Sequence, residues 1–112
     1  MYDALILFKK IYDLNMYLSS MVSKFPKTYR YSLGDRIEEK SLDMIDLIIL
    51  ISECRSGIDI KKYLKQLSVQ KERIQIYVRM ASDLNIIDKR KYIYVSGLLV
   101  EIGKIIGGWI KK

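Results

Sequence analysis

Phe25-Pro26-Lys27-Thr28-Tyr29-Arg30-Tyr31-Ser32-Leu33-Gly34-Asp35-Arg36-Ile37 is the stretch on which the fold turns. It holds the only proline of a 112-residue chain and sets three cations and three aromatic rings into a turn that enters a helix. On both sides of it apolar residues recur at helical spacing, and glycines are few before the last segment. Four helices follow, at roughly residues 2–23, 33–55, 59–86 and 89–110. Ser32 followed by Asp35 suggests a capping box, Gly57 a stop, and Asp59 and Asp88 the N-caps of the last two helices. The short connections after the second and third helices make those neighbours antiparallel.

Each helix carries a core stripe. The first offers Ala4, Phe8, Ile11, Leu18 and Val22, and the third offers Ile60, Leu64, Leu67, Ile74, Tyr77, Val78, Ala81 and Leu84. The fourth offers Val95, Leu98, Ile102, Ile105, Ile106 and Trp109. The expected fold is all-α, an antiparallel up-down four-helix bundle forming one domain over residues 1–112. Half of the residues are apolar, enough for a sizeable core.

Second apolar faces stand beside these stripes. Leu7, Leu14 and Met21 recur every seven residues, and Val69, Ile76, Met80 and Ile87 lie nearly opposite the core of the third helix. The second helix is apolar almost all round from Leu42 to Ile51, and the fourth carries Ser96, Val100, Gly103, Gly107 and Ile110 on a secondary face. A monomer would expose too much of this, so a homo-oligomer is expected, with Leu7, Leu14, Met21, Val69, Ile76, Met80, Gly103 and Gly107 between subunits. The competing reading is that the helices curve and bury more than an ideal wheel shows. An interior helical glycine costs about 1 kcal/mol, which close helix contact at Gly103 and Gly107 could offset.

The formal net charge is +7 with a pI near 9.5, which favours polyanionic partners: nucleic acid or an anionic membrane surface. Only residues 32–57 are net negative. On the third helix Lys61, Lys65 and Arg79 fall within a narrow arc, with Lys62 and Arg73 further round, so one face can present several cations to phosphates. Arg30 lies between Tyr29 and Tyr31, where a guanidinium fork and aromatic faces suit phosphates and bases. The structural alternative pairs Arg30 and Arg36 with Asp35, Glu38 or Glu39.

Catalysis finds no footing. Histidine is absent, and the single Cys54 reads as a buried thiol in an apolar helical stretch. Glu38, Glu39, Asp43 and Asp46 cluster on the second helix without the Glu-x-x-His pattern of a di-metal bundle, so they read as a solvated face. No cofactor, metal site or catalytic residue is expected. With no convincing signal peptide or membrane span, the expected location is cytoplasmic. Gly97 to Lys112 could instead lie along a membrane surface, although core packing of Trp109 is favoured.

Four separated segments, in order, resemble the accessory variability determinant (Avd) proteins of diversity-generating retroelements. They are a first helix rich in Leu and Tyr, the corner from Phe25-Pro26-Lys27 to Leu33-Gly34-Asp35-Arg36-Ile37, the segment Val78-Arg79-Met80-Ala81-Ser82-Asp83-Leu84, and the ending from Glu101-Ile102-Gly103-Lys104 to Gly107-Gly108-Trp109. The resemblance extends to small four-helix proteins encoded in intervening sequences of large-subunit ribosomal RNA genes. The Avd likeness implies a basic homopentameric barrel that binds RNA or DNA and the retroelement reverse transcriptase, as a non-catalytic partner in mutagenic retrohoming. The ribosomal relatives imply an RNA-binding bundle with no polymerase partner. By position, Arg30 and Arg36 match the family corner, Arg79 its third-helix arginine, and Lys104 a basic site where arginine is common.

Overall fold

The computed structural model of the protein describes residues 3–112, so the expected start of the first helix at residue 2 lies outside the described part. Four long helices run through it: α1 (Ala4–Ser23), α2 (Asp35–Glu53), α3 (Gly57–Asp83) and α4 (Lys89–Ile110). In the bundle α1 packs beside α2 and α4, and α3 beside α2 and α4. The result is an all-α four-helix bundle with overall dimensions of 44 × 22 × 19 Å. The Pro26 corner and the α3–α4 connection share one end, and the α2–α3 connection sits at the other.

Each start has a local cause. Asp3 accepts from the Leu5 amide at 3.1 Å to cap α1, and Asp88 accepts from the Lys91 amide at 2.8 Å to cap α4, as expected of Asp88. At α3 the cap is Ser56, whose hydroxyl accepts from the Asp59 amide. Gly57 therefore opens α3 instead of stopping α2, and Asp59 lies inside the first turn. The Ser32–Asp35 capping box also does not form. Pro26 starts a single helical turn, Lys27–Tyr29, which passes through a π-helical segment, Arg30–Gly34, straight into α2. Inside it the Ser32 hydroxyl donates to the Thr28 and Tyr29 carbonyls. Gly34 is buried here, and a Cβ at that position would stand 2.7 Å from Val22 Cγ1. The wide turn thus brings the α2 backbone directly onto α1.

At the other end of α3, Asn85 takes φ 59°, the amide of Ile86 donates to Ala81 O at 2.8 Å, and that of Asn85 to Ser82 O at 3.0 Å. This is a Schellman stop, with asparagine in the left-handed position that glycine usually fills. It ends α3 at Asp83, short of the expected residue 86.

The core overturns part of the interface expectation. Leu7 and Leu14 are 0% exposed and Met21 3%, all inside the subunit's own core. Leu7, Ile11, Leu14, Leu18 and Met21 alternate spacings of four and three, the seam that a helix presents to packed neighbours. A seven-residue repeat was half of that seam, not a second face. These three residues are unavailable to another subunit, while Ala4 and Phe8, placed centrally by the sequence, are half-buried at its edge. Ile87 is likewise buried, whereas Leu84 is exposed. Leu64, Leu67, Ile74, Val78 and Ala81 of α3 join Val95, Leu99, Ile102, Ile106 and Trp109 of α4 in the same core. Each large apolar side chain buried there contributes about 1.5–3 kcal/mol.

Candidate nucleic-acid and partner surfaces

The corner positions its two arginines differently. Arg30 is half-buried and donates from Nη2 to the Phe25 carbonyl at 3.2 Å, so its guanidinium ties off the end of α1. Its Nε is buried without a partner among the described residues. Arg36 is exposed on the first turn of α2. It donates from Nη2 to the Tyr77 hydroxyl at 3.0 Å and lies 5.6 Å from the centre of that ring. Neither arginine takes an acidic partner among the described residues, so the alternative pairing with Asp35, Glu38 or Glu39 does not form. Glu39 and Asp43 flank Lys40 instead.

Arg36 and Tyr77 form one wall of an open cleft of about 640 Å³ between the corner and α3. Tyr29, Tyr31, Leu33, Met80 and Leu84 give it a mainly apolar and aromatic lining, which Ser32 and Asp35 complete. A flat ring suits such a cleft, because aromatic faces stack and the Arg36 guanidinium carries several donors, while the Asp35 carboxylate offsets its charge.

The other expected cations do not converge on it. Arg79 is exposed on the same end of α3, 3.8 Å from Asp83, and Arg73 is exposed at mid-helix beside Gln70. Lys61 and Lys65 lie near the opposite end, where with Ile58, Lys62 and Gln66 they line a shallow depression of about 500 Å³. Lys104 is exposed on α4. Arg36, Lys61, Lys65, Arg73, Arg79 and Lys104 thus form a dispersed positive surface reaching both ends of the bundle, while Arg30 is taken up by the corner.

Of the expected inter-subunit residues, Val69, Ile76 and Met80 are exposed along α3, Ile76 by 60%. Gly103 serves the subunit itself: the Lys71 side chain crosses it, with Nζ 3.1 Å from where a Cβ would be. At Gly107 a Cβ would meet nothing within 4 Å. An apolar face between α1 and α2 was legible in the sequence only on its α2 side, as the stretch from Leu42 to Ile51 that is apolar almost all round. Leu5 (70% exposed) and Ile49 border one shallow cleft, and Met16 and Leu42 (60%) border another further along the same pair of helices. Apolar side chains at 42, 45 and 49 with a 3–4 spacing were the available signal.

Tyr17 and Tyr94 were also missed. Their rings meet across the α1–α4 edge beside Arg90 and Lys91. The run Lys89-Arg90-Lys91-Tyr92-Ile93-Tyr94, basic then aromatic, was the signal for this second aromatic and cationic context. Burial raises the Tyr17 hydroxyl above its usual range, with smaller contributions from Tyr94 and Asp88. Cys54, expected inside a helix, follows the last residue of α2 in extended backbone and is half-buried.

Among the described residues no three His, Cys, Asp or Glu side chains group as metal ligands. The last helix is long and apolar enough to cross a membrane, and its Val95–Trp109 stripe faces the bundle core. Exposed cations, aromatic clefts and exposed apolar strips are carried together on one all-α four-helix scaffold. The profile of the bAvd-like family matches residues 5–112, and the chain belongs to that family. Membership points to an Avd-type, non-catalytic accessory protein of a diversity-generating retroelement. Comparison with curated proteins gives no match.

Proposed function

We propose that this chain is the accessory protein that binds nucleic acid and the retroelement reverse transcriptase in support of mutagenic retrohoming, acting as a homopentameric barrel in the cytoplasm without cofactor or membrane. The observation that carries the reading is the family match over residues 5–112. A net charge of +7 distributed over both ends of the bundle supports the polyanion half of it. Exposed Val69, Ile76 and Met80, with the α1–α2 apolar face, support self-association. Arg36, Lys61, Lys65, Arg73, Arg79 and Lys104 are the cations available to phosphates, whereas Arg30 holds the corner.

Binding of labelled RNA, single-stranded DNA and duplex across a salt series tests the nucleic-acid half. Affinity should fall steeply with salt, because each neutralised phosphate releases counterions. Co-purification with the reverse transcriptase tests the other half, and charge reversal at Arg73 and Arg79 should abolish complementary-DNA synthesis. Binding of ribosomal RNA with no polymerase partner would replace this reading with the ribosomal one.

A further inference from the structure

The α1–α4 edge carries an open cleft of about 390 Å³ lined by Tyr17, Asp88, Arg90, Lys91 and Tyr94. The two rings lie 4.7 Å apart, centre to centre, and are inclined by 51°. Tyr17 is half-buried and Tyr94 more than half exposed, so one ring anchors in the bundle while the other offers a face to solvent. Asp88, which caps α4 by accepting from the Lys91 amide, brings one negative charge to the cleft against the three successive cations Lys89, Arg90 and Lys91. No carboxylate oxygen lies within 4 Å of the side-chain nitrogens of Lys89, Arg90 or Lys91 among the described residues. The first turn of α4 contains no acid, although the positive end of a helix dipole disfavours three successive cations. The fold therefore keeps a net positive cluster, partly offset by Asp88, next to an oriented aromatic pair.

We propose that this cleft takes an unpaired nucleotide, with its base stacked on Tyr94 against the Tyr17 edge and its flanking phosphates on Arg90 and Lys91. The assignment rests on the nucleic-acid reading above and adds the class of ligand: a single strand. Bases in a duplex are already stacked on one another and cannot reach a platform without being extruded. Stacking on tyrosine is indifferent to base identity, so the site selects strandedness more than sequence. An apolar contact between copies of the chain would not need two cations at its rim.

The test uses full-length protein and four labelled probes of equal phosphate number: oligo-uridine, oligo-thymidine, an abasic strand and a hairpin duplex. Tyr94→Leu keeps an apolar side chain but no ring, and should weaken both base-bearing single strands about 5- to 100-fold while leaving the abasic strand and the duplex unchanged. Tyr94→Phe should bind as the natural chain does. The double variant Arg90→Ala and Lys91→Ala should weaken every strand bound at this edge and lower the salt slope by about 1 to 2. Equal losses for uridine and thymidine assign recognition to the ring alone. The proposal fails if Tyr94→Leu leaves single-strand affinity intact, or weakens the abasic strand equally. It also fails if that variant changes only the oligomeric mass, since Tyr94 would then lie between copies. Absence of binding to any probe at low salt overturns the nucleic-acid reading itself.

Discussion

Asn15 of α1 donates its side-chain amide to the Ser41 carbonyl of α2 at 2.8 Å, and also to Ile11 O at 3.0 Å within its own helix. Among the described residues Ser41 is the one buried polar residue in the core, and its hydroxyl donates back to Glu38 O at 3.0 Å. The pair fixes the axial register of α1 against α2, which apolar contacts alone define only loosely. Asn15→Ala should destabilise the subunit by about 1 kcal/mol. Thermal unfolding should show it as a melting point lower by about 3–6 °C. An unchanged melting point would mean that packing alone fixes the register.

The close approach at Gly34 makes a larger prediction. A methyl group there meets Val22 Cγ1 at 2.7 Å and the Tyr29 carbonyl at 3.3 Å, and neither neighbour can withdraw without moving the corner. Gly34→Ala should cost about 1–3 kcal/mol by overpacking. Combining it with Val22→Ala should return part of that loss, a coupling that a double-mutant cycle of denaturant midpoints reads directly.

Asn85 tests the α3 stop. Its φ of 59° costs a β-branched residue far more than asparagine or glycine. Asn85→Val should lower stability by about 1–2 kcal/mol, and Asn85→Gly should be neutral or slightly stabilising. Chemical denaturation of the two variants against the natural chain gives both differences.

The helices were legible because their signals are local. Apolar spacing located all four, and Asp88 announced the start of α4 correctly. The corner was recognised as basic and structured, yet its π-turn was not, since the widening is imposed by Gly34 seating on Val22 across the bundle. Face assignment failed on α1 for a related reason. Leu7 and Leu14 lie so near Ile11 and Leu18 on the wheel that only the presence of neighbours on both sides shows all four to be inward. The Tyr17–Tyr94 pair joins residues 77 positions apart, and no single-helix pattern can announce it.

Tyr17 gives the chain an alkaline sensitivity. Its hydroxyl is raised from 10.0 in the fold, mainly by burial, with Tyr94 and Asp88 adding to the effect. Above pH 10 the unfolded chain loses this proton before the folded one does, so the folded state binds more protons and stability falls as pH rises. Below pH 10 the group contributes no slope. Tyr17→Phe should flatten the decline between the ordinary and the raised titration without altering the curve at neutral pH. Denaturant midpoints measured for both proteins from pH 8 to 12 check the sign.

If the subunits associate as proposed, the residues that hold them together differ from those that hold each subunit. Leu7 lies inside, so Leu7→Ala should unfold the subunit by about 2–5 kcal/mol, with any loss of assembly following from that. Leu42 and Ile49 lie outside on the α1–α2 face, and Ile76 lies outside on α3. A ring closed by rotation brings two different patches of each subunit together, so faces on separate helices suit it better than one self-complementary patch. Leu42→Glu and Ile76→Glu should each lower the mass measured by light scattering to that of one 13.2 kDa chain or a short open fragment. Helical circular dichroism should stay unchanged in both, because neither side chain contributes to the core. A full assembly in both variants would remove these faces from the interface and leave the α4 surface around Gly107, open beyond the backbone, as the remaining contact.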